Sequence, residues 1–333
     1  MNGVYELPLT DLYFLAAGAI GLGLFLLIKS GGYVVDGAVY IAKQLGLPPM
    51  VVGFTIVAFG TSLPELLVSV NANMKGFGGI AVGNIVGSNI ANILLILGIG
   101  AIISPMVVRR HSCTRDLAMM LLATAILVGF MWFGVITMWQ GALMLAILIA
   151  YVFYQYRKAM ENKEPPPEEV DEADFANMGA CLLALLLGLI GVSVGAEMLV
   201  RGTVVSANAI GIPEAVIALT VVAFGTSLPE LATVLVSLRK GETDLIFGNI
   251  IGSNVFNILS IIGVTALISP IAIEPHLMGI SLWTMVGVSV LFAVWILAFH
   301  KLQRGLGIAM VVAYIAFVAS EYLLTSPHLP IAG

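Results

Sequence analysis

The sequence predicts an all-α integral membrane protein, with ten transmembrane helices arranged as two inverted-topology five-helix repeats. Two observations lead to this fold class. The chain of 333 residues is 60% hydrophobic and only 10% charged, whereas soluble domains are about half apolar and about a quarter charged. In addition, long peptides of the first half recur in the second half at a constant offset of 165 residues.

Ten apolar runs are long enough to cross a bilayer as helices, which takes about 20 residues each. Runs this long and this uniformly apolar exceed the short alternating strands of a membrane barrel. We expect spans near residues 11–29, 48–74, 78–104, 116–134, 137–156, 178–200, 213–238, 244–269, 277–299 and 305–324. The first run follows Glu6 and no Lys or Arg, so we interpret it as a retained helix and not as a signal peptide.

The lysines and arginines predict the orientation, because these residues concentrate in cytoplasmic loops. With ten spans, twelve of the 14 lie on one side, Lys29 among them, and only Lys75 and Arg201 lie on the other. We therefore expect a multi-pass protein of the plasma (inner) membrane, with both termini extracellular or periplasmic.

Five spans in each half is an odd number, so the second repeat must cross the membrane in the opposite sense. We divide the chain into a first repeat (1–156), an acidic cytoplasmic linker (157–177) and a second repeat (178–333). The linker is rich in Pro and Glu, and we interpret it as a solvated hinge. A regulatory calcium patch there is the alternative, although its acids lack the fixed spacing of a calcium-binding loop.

The decapeptide Val-Ala-Phe-Gly-Thr-Ser-Leu-Pro-Glu-Leu occurs twice, at 57–66 and at 222–231. Its proline, Pro64 or Pro229, removes a backbone donor in the middle of a span. Each helix should therefore kink or break near the preceding glycine, Gly60 or Gly225.

Each decapeptide also places a glutamate, Glu65 or Glu230, inside an apolar run. A carboxylate at that depth is costly unless it is paired or hydrated, and it usually marks an ion path. No Lys or Arg lies near the middle of a predicted span, so the partner must be a bound cation, a proton or water. Thr61 and Thr226 precede the glutamates by four residues and share their helix faces.

The chemistry of these side chains favours a hard cation. Carboxylate, hydroxyl and carbonyl oxygens suit Ca²⁺, and Na⁺ can use the same atoms, whereas Mg²⁺ sheds its water reluctantly. The motif contains no His, Cys or Met, which argues against zinc and copper.

A second motif recurs at 83–98 and 248–263, with eleven of sixteen positions identical. Ser88 and Asn92 are four residues apart, as are Ser253 and Asn257, so each pair forms a polar stripe on an apolar helix. Such groups can bind a cation or join helices. Both roles stay open for the other amides of the motif, Asn84, Asn89, Asn249 and Asn254.

The glycines of this motif predict close helix packing; they are Gly83, Gly87, Gly248 and Gly252. Two further acids, Asp116 and Glu321, lie near the ends of predicted helices, where we expect them to reach water.

The Gly-Thr-Ser-Leu-Pro-Glu and Gly-Asn-x-x-Gly-Ser-Asn motifs of both halves resemble the two alpha-repeats of the cation/calcium antiporter superfamily, specifically its prokaryotic sodium/calcium exchangers. The resemblance implies ten helices, with the second, third, seventh and eighth forming the ion core and the first and sixth sliding across it. By motif position it implies that Glu65 and Glu230 ligate calcium, together with backbone oxygens of Thr61 and Thr226. For sodium it implies the threonine hydroxyls, the hydroxyls of Ser62, Ser227, Ser88 and Ser253, and the carbonyls of Ala58 and Ala223.

One position departs from the pattern of the archaeal exchangers, which commonly carry an aspartate where this chain has Asn257. Asparagine occupies this position in both halves, as Asn92 and Asn257. The site therefore has one ionisable group fewer, which leaves the coupling ion open.

The leading interpretation is a secondary active antiporter that exchanges Ca²⁺ for Na⁺ by alternating access, with both ions competing for one central site. The alternatives are an H⁺/Ca²⁺ antiporter or a K⁺-dependent Na⁺/Ca²⁺ exchanger using the same glutamates. A cation channel with a carboxylate selectivity ring is a remote alternative. We expect no enzymatic activity, no cofactor, no nucleic acid and no obligatory protein partner, but only the bilayer and the transported cations.

Overall fold

The computed structural model describes residues 9–108, 110–161, 175–209 and 225–325, and these are mostly helical. The elements of the first half are α1 (Leu9–Leu45), α2 (Pro49–Val52), the π-helical segment π1 (Gly53–Val57), α3 (Ala58–Thr61), α4 (Leu63–Met74), α5 (Gly78–Ile90), π2 (Ala91–Leu97), α6 (Gly98–Ile103), β1 (Met106–Val107), α7 (Arg110–Met131), β2 (Val135–Ile136) and α8 (Met138–Glu161).

The second half repeats this order where it is described. Its elements are α9 (Met178–Ala209), α10 (Leu228–Lys240), α11 (Thr243–Phe256), π3 (Asn257–Ile262), α12 (Gly263–Ile268), β3 (Ile271–Ala272), a 3₁₀ turn (Pro275–Met278), α13 (Ile280–Phe299), β4 (Lys301–Leu302) and α14 (Arg304–Thr325). The strands have two residues each and pair antiparallel, β1 with β4 and β2 with β3.

Within the described ranges, eight helices are long and apolar enough to cross a membrane. The bent pair of Pro49–Thr61 and Leu63–Met74 brings the number to nine. These nine fall on nine of the ten predicted runs. The remaining run, 213–238, is described only from residue 225 onward, where it forms α10. The chain is thus an all-helical, multi-pass membrane protein.

α1 is longer than the predicted first span, which ended at residue 29. The Ser-Gly-Gly sequence that follows Lys29 resembles a loop, but the helix continues through it to Leu45. It continues because its second part is packed inside the protein, where the following residues are buried: Val34, Val35, Ala38, Ile41 and Ala42. The predicted end of the first helix near residue 29 is therefore wrong.

α1 and α9 pack side by side along much of their length. Glycines allow their backbones to approach closely, since a Cβ atom on Gly23 would lie 2.7 Å from the carbonyl oxygen of Gly195. An ion pair between Asp36 and Lys240 also joins α1 to α10. The two long helices form a hydrophobic cluster with α2, α10 and the start of α11, separate from the larger central core.

α11 lies at the centre of that core. Every residue from Leu245 to Phe256 is buried, and α11 packs on α2, π1 and α3 of the first half as well as on α7. α4 pairs with α5 in the first half. The elements that carry the two repeated motifs therefore converge in the middle of the molecule.

Several contacts between the halves occur in two equivalent copies: a residue of the first half contacts one of the second, and the equivalent residue of the second half contacts the equivalent one of the first. A Cβ atom on Gly307 would lie 2.7 Å from the carbonyl oxygen of Gly98, and one on Gly141 would lie 2.6 Å from that of Gly263. In sequence, Gly263 and Gly307 follow Gly98 and Gly141 by 165 and 166 residues. The two small sheets are equivalent copies in the same sense, since each pairs a strand of one half with a strand of the other.

Asp116 does not reach water as predicted, but is buried between α7 and α8. Its Oδ1 accepts a hydrogen bond from the Tyr151 hydroxyl at 2.6 Å and another from the Gln155 amide. Helix-end position alone did not reveal these partners, because they come from the following helix. In the second half, the Ser281 hydroxyl of α13 donates to Glu321 of α14 at 2.8 Å. The acid thus lies on the later of the two helices there, whereas in the first half it lies on the earlier one.

The motif glycines of the second half lie directly against the first half. A Cβ atom on Gly248 would lie 2.2 Å from the carbonyl oxygen of Met50, and one on Gly252 would lie 2.5 Å from that of Phe54. Among the described residues, nothing lies within 4 Å of such an atom on Gly83 or Gly87. Their repeat-related neighbours would fall in 213–219, outside the described residues, so close packing there stays a prediction.

We expect Gly252→Ala to destabilise the protein by about 1–3 kcal/mol, because the new methyl group would push α11 away from the π1 backbone. The measurement is the thermal unfolding midpoint of the purified protein in detergent. Gly129→Ala on α7 is the matched control, since nothing described lies within 4 Å of its Cβ position. An unchanged midpoint in Gly252→Ala would contradict the close contact.

Candidate cation site

The first repeated motif forms a helix break in both halves. α3 ends at Thr61 and α4 begins at Leu63, with a bend of 44° between the two parts. Ser62 lies at the junction with φ −84° and ψ 5°, and Ser227 has nearly the same conformation, φ −89° and ψ 6°. Pro64 and Pro229 lie in the first turn of the following helix, where a missing N–H costs nothing.

The glycines before the breaks make room for α9. A Cβ atom on Gly60 would lie 2.4 Å from the Leu189 side chain, and one on Gly225 would lie 2.2 Å from the Val200 side chain. The sequence suggested these glycines only as weak points for bending. The structure adds that both breaks face the same long helix.

Glu65 and Glu230 follow the breaks and are at most 1% exposed. They lie close enough for their negative charges to repel each other. The Ser62 hydroxyl donates to Glu230 Oε1 at 3.3 Å, and the Ser253 hydroxyl donates to the same oxygen at 3.4 Å. Glu230 is thus held by a serine from each half of the chain.

Glu65 is less well satisfied. Within the described part of the chain, neither of its carboxylate oxygens has a hydrogen-bond partner. The hydroxyls of Ser227 and Ser88, the repeat equivalents of Ser62 and Ser253, are also without partners there. The repeat equivalents of the serines that hold Glu230 are thus present, but among the described residues they form no hydrogen bond with Glu65.

The threonines of the motif each face the glutamate of the other half. Thr61 faces Glu230 and Thr226 faces Glu65. The Thr61 hydroxyl also lies 3.4 Å from both the Ala58 carbonyl and Asn249 Oδ1, whereas the Thr226 hydroxyl has no partner in the described chain.

The two alanine carbonyls predicted as sodium ligands differ in what the structure describes. The Ala58 carbonyl accepts the Ser62 N–H at 3.1 Å as part of the helix end. Ala223 lies outside the described residues.

Asn92 is the second residue of π2 and Asn257 is the first residue of π3, and both lie beside the partner half. The Asn92 amide donates to Asn254 Oδ1 at 3.0 Å, and the Asn257 amide donates to Asn89 Oδ1 at 3.0 Å. The remaining oxygens, Asn92 Oδ1 and Asn257 Oδ1, have no partner among the described residues.

The sequence left two roles open for the other amides of the motif. In the structure their amide groups join helices: Asn84 donates to Ser69 Oγ at 3.0 Å, and Asn249 donates to Thr233 Oγ1 at 2.8 Å. Sequence reasoning missed Ser69 and Thr233. Their spacing of four and three residues after the glutamates was the available signal, since such residues share a helix face.

The buried oxygens without partners have a common character. Buried polar groups are normally hydrogen-bonded, and leaving one unsatisfied is costly. Within the described chain, eight such oxygens belong to the repeated motifs: both carboxylate oxygens of Glu65, Glu230 Oε2, the hydroxyls of Ser88, Thr226 and Ser227, and Oδ1 of Asn92 and Asn257. The buried polar residues described include no lysine or arginine. This oxygen-only, net-negative set fits a hard cation such as Ca²⁺ or Na⁺.

Comparison with known proteins agrees with this chemistry. The family model described as sodium/calcium exchanger protein matches the chain twice, over residues 15–157 and 181–323. The inner membrane protein YrbG of Escherichia coli K12 is 34% identical over 320 residues, covering 93% of this chain and 98% of YrbG. The sodium/calcium exchanger MaX1 of Methanosarcina acetivorans is 31% identical over 337 residues, covering 89% and 95%.

Solved structures of the sodium-calcium exchanger NCX_Mj have the same fold. The form soaked with Na⁺ and Sr²⁺ superposes with a TM-score of 0.78 at 33% identity, covering 92% of this chain and 98% of that one. The form soaked without Na⁺ and Ca²⁺ gives 0.79 at 32% identity, covering 92% and 99%. With the family model matching most of both halves, this chain belongs to the sodium/calcium exchanger protein family.

Proposed function

We propose that this protein is a secondary active antiporter that exchanges Ca²⁺ for Na⁺ across the membrane by alternating access. The observation that carries the proposal is the set of eight unpartnered buried oxygens in the repeated motifs, which includes those of Glu65 and Glu230 and is contributed by both halves. The two ions would compete for this central site, with Ca²⁺ held by the two glutamates. Relatives named as sodium/calcium exchangers support the choice of ions.

The proposed architecture is ten helices in two inverted repeats, 1–156 and 178–333, joined by the cytoplasmic linker 157–177. The separate family matches to the two halves support this division. The exchanged glycine contacts and strand pairs also support it, because two repeats related by a pseudo-two-fold axis make each mutual contact twice. The protein would lie in the inner membrane with both termini outside, as its Lys and Arg distribution favours.

Charge neutralisation supplies the coupling in this proposal. Two ionised glutamates carry a charge of −2, which one Ca²⁺ or several Na⁺ can neutralise. A neutralised site can cross the low-dielectric interior, whereas an empty site with two repelling carboxylates resists occlusion. Exchange then needs no chemical step, which agrees with membership of a transporter family.

The neutral asparagines favour one further possibility. Because Asn257 and Asn92 add no carboxylate, the two glutamates are the ionisable groups of the set, and fewer monovalent cations suffice to neutralise it. The same site could therefore work as an H⁺/Ca²⁺ antiporter or as a K⁺-dependent Na⁺/Ca²⁺ exchanger. Imposing Na⁺, K⁺ and pH gradients one at a time across the same proteoliposomes distinguishes the three.

We expect Glu65→Gln and Glu230→Gln each to abolish Na⁺-driven Ca²⁺ uptake. Removing one partner of a buried charge interaction costs about 2 kcal/mol or more, which weakens Ca²⁺ binding at least about thirtyfold. The measurement is calcium-45 uptake into Na⁺-loaded proteoliposomes diluted into Na⁺-free buffer. Asp116→Asn is the matched control, because Asp116 is a buried carboxyl group hydrogen-bonded outside the site. Full uptake in either glutamine variant would refute the site.

We expect Pro64→Ala to weaken Ca²⁺ binding while the protein stays folded. Alanine restores the N–H that an uninterrupted helix donates four residues back, which would reduce the 44° bend and displace Glu65. A loss of about tenfold in affinity, or about 1.4 kcal/mol, is the expected size. Equilibrium calcium-45 binding to purified protein measures it. Pro49→Ala at the start of α2 serves as the control, and equal affinities in both variants would contradict the role of the break.

A further inference from the structure

Four asparagines form two crossed hydrogen bonds between the halves. The pairs are Asn92 with Asn254 and Asn257 with Asn89, each at 3.0 Å between Nδ2 and Oδ1. All four side chains are at most 1% exposed. In each pair, the donor is the first or second residue of a π-helical segment, and the acceptor lies three residues before the donor of the other pair.

We propose that Asn89 and Asn254 are positioning residues, which hold the amides of Asn257 and Asn92 with their oxygen atoms toward the transported cation. The proposal rests on the proposed function. A primary amide has two unlike ends, since its oxygen attracts a cation and its NH₂ group repels one. In a buried site, the orientation of the amide therefore decides whether the asparagine is a ligand.

The orientation of each pair is determined by a group that can only accept hydrogen bonds. Asn89 Nδ2 lies 3.2 Å from the main-chain oxygen of Asn254, so the NH₂ end of Asn89 must face that oxygen. The oxygen of Asn89 then faces Asn257, which must present its own NH₂ group to it. The unpartnered Oδ1 of Asn257 is left as the end available to a cation.

The second pair follows the same logic with a weaker anchor. Asn254 Nδ2 lies 3.7 Å from the thioether sulfur of Met120, which is an acceptor only. The oxygen of Asn254 therefore faces Asn92, and Asn92 Oδ1 is left unpartnered. The repeat equivalent, Met285, lies 3.8 Å from Asn89 Nδ2, so both pairs have a methionine at the same place.

The crossing makes the two half-sites depend on each other. The ligand amide of the first half is oriented by Asn254 of the second, and that of the second half by Asn89 of the first. Neither half can orient its own amide. Ordinary helix joining by these asparagines would require only that hydrogen bonds exist, and would not depend on which end of Asn92 or Asn257 remains free.

The first test is Asn254→Leu, which removes the acceptor that holds Asn92. We expect Ca²⁺ affinity to fall by about ten- to a hundredfold, as for the loss of other groups that orient metal ligands. The measurements are calcium-45 binding to purified protein and the Ca²⁺ concentration that gives half of the maximal thermal stabilisation. Asn73→Leu is the matched control, because Asn73 is a buried amide that joins helices through the Ser269 carbonyl at 2.8 Å. The control should lower the unfolding midpoint and leave Ca²⁺ affinity unchanged.

A double-mutant cycle with Asn92→Asp separates positioning from structure. A carboxylate presents oxygen at both ends, so its orientation no longer matters. In the Asn92→Asp background, Asn254→Leu should therefore change Ca²⁺ affinity by less than about threefold, a strongly non-additive result. An equal loss in both backgrounds would overturn the positioning role.

A second variant keeps the test decisive if Asn254→Leu does not fold. Asn254→Asp retains an acceptor for Asn92, so we expect its Ca²⁺ affinity to fall by no more than about threefold. A tenfold or greater loss would overturn the proposal. If the unmodified protein showed neither Ca²⁺-dependent stabilisation nor ion-driven uptake, the proposed function would fail and this inference with it. If the unmodified protein responds to Ca²⁺ and Asn254→Leu binds Ca²⁺ equally well, the positioning role alone is refuted.

Discussion

Two buried carboxylates without a countercharge are the constraint on which the rest of this structure depends. Glu65 and Glu230 are at most 1% exposed, and the buried residues described offer no lysine or arginine to pair with them. Their charge can be stabilised only by hydroxyl and amide dipoles and by a mobile cation. This need accounts for the serines, threonines and asparagines that line single stripes of otherwise apolar helices. It also accounts for the glycines that let α11 lie against π1, because the dipoles must come close.

The site is built across the two halves, not within each of them. Ser62 of the first half donates to Glu230 of the second, and the threonine of each half faces the glutamate of the other. Each half alone therefore lacks some of the polar groups that stabilise its carboxylate, and these groups come from the other half. The binding free energy of a cation therefore also favours the association of the two halves, and ion occupancy and the packing between them are linked.

Local patterns in the sequence predicted the residues whose presence in a membrane is costly. The glutamates and prolines could be recognised because each is costly inside an apolar helix, and duplication ruled out chance. The motifs also supplied the site serines, but not which serine contacts which glutamate, because Ser62 and Glu230 are 168 residues apart and are brought together only by packing. The length of α1 was missed for a related reason: the Ser-Gly-Gly sequence after Lys29 disfavours a helix locally, but contacts with α9 stabilise one. Asp116 was misplaced because its partners, Tyr151 and Gln155, lie on the next helix.

The spacing of the second motif explains why asparagine occupies position 92. α5 turns about 100° per residue, so Ser88 and Asn89 point about 100° apart. Asn92 follows one turn later, just past the end of α5 in π2, and points between these two directions. Ser88 can thus serve the ion site and Asn89 the partner helix, while Asn92 lies between the two directions. Asparagine fits this place because it has a donor at one end, used toward Asn254, and an acceptor at the other. Leucine could serve neither direction, and serine is too short to serve both, so the same geometry in the second half accounts for Asn257.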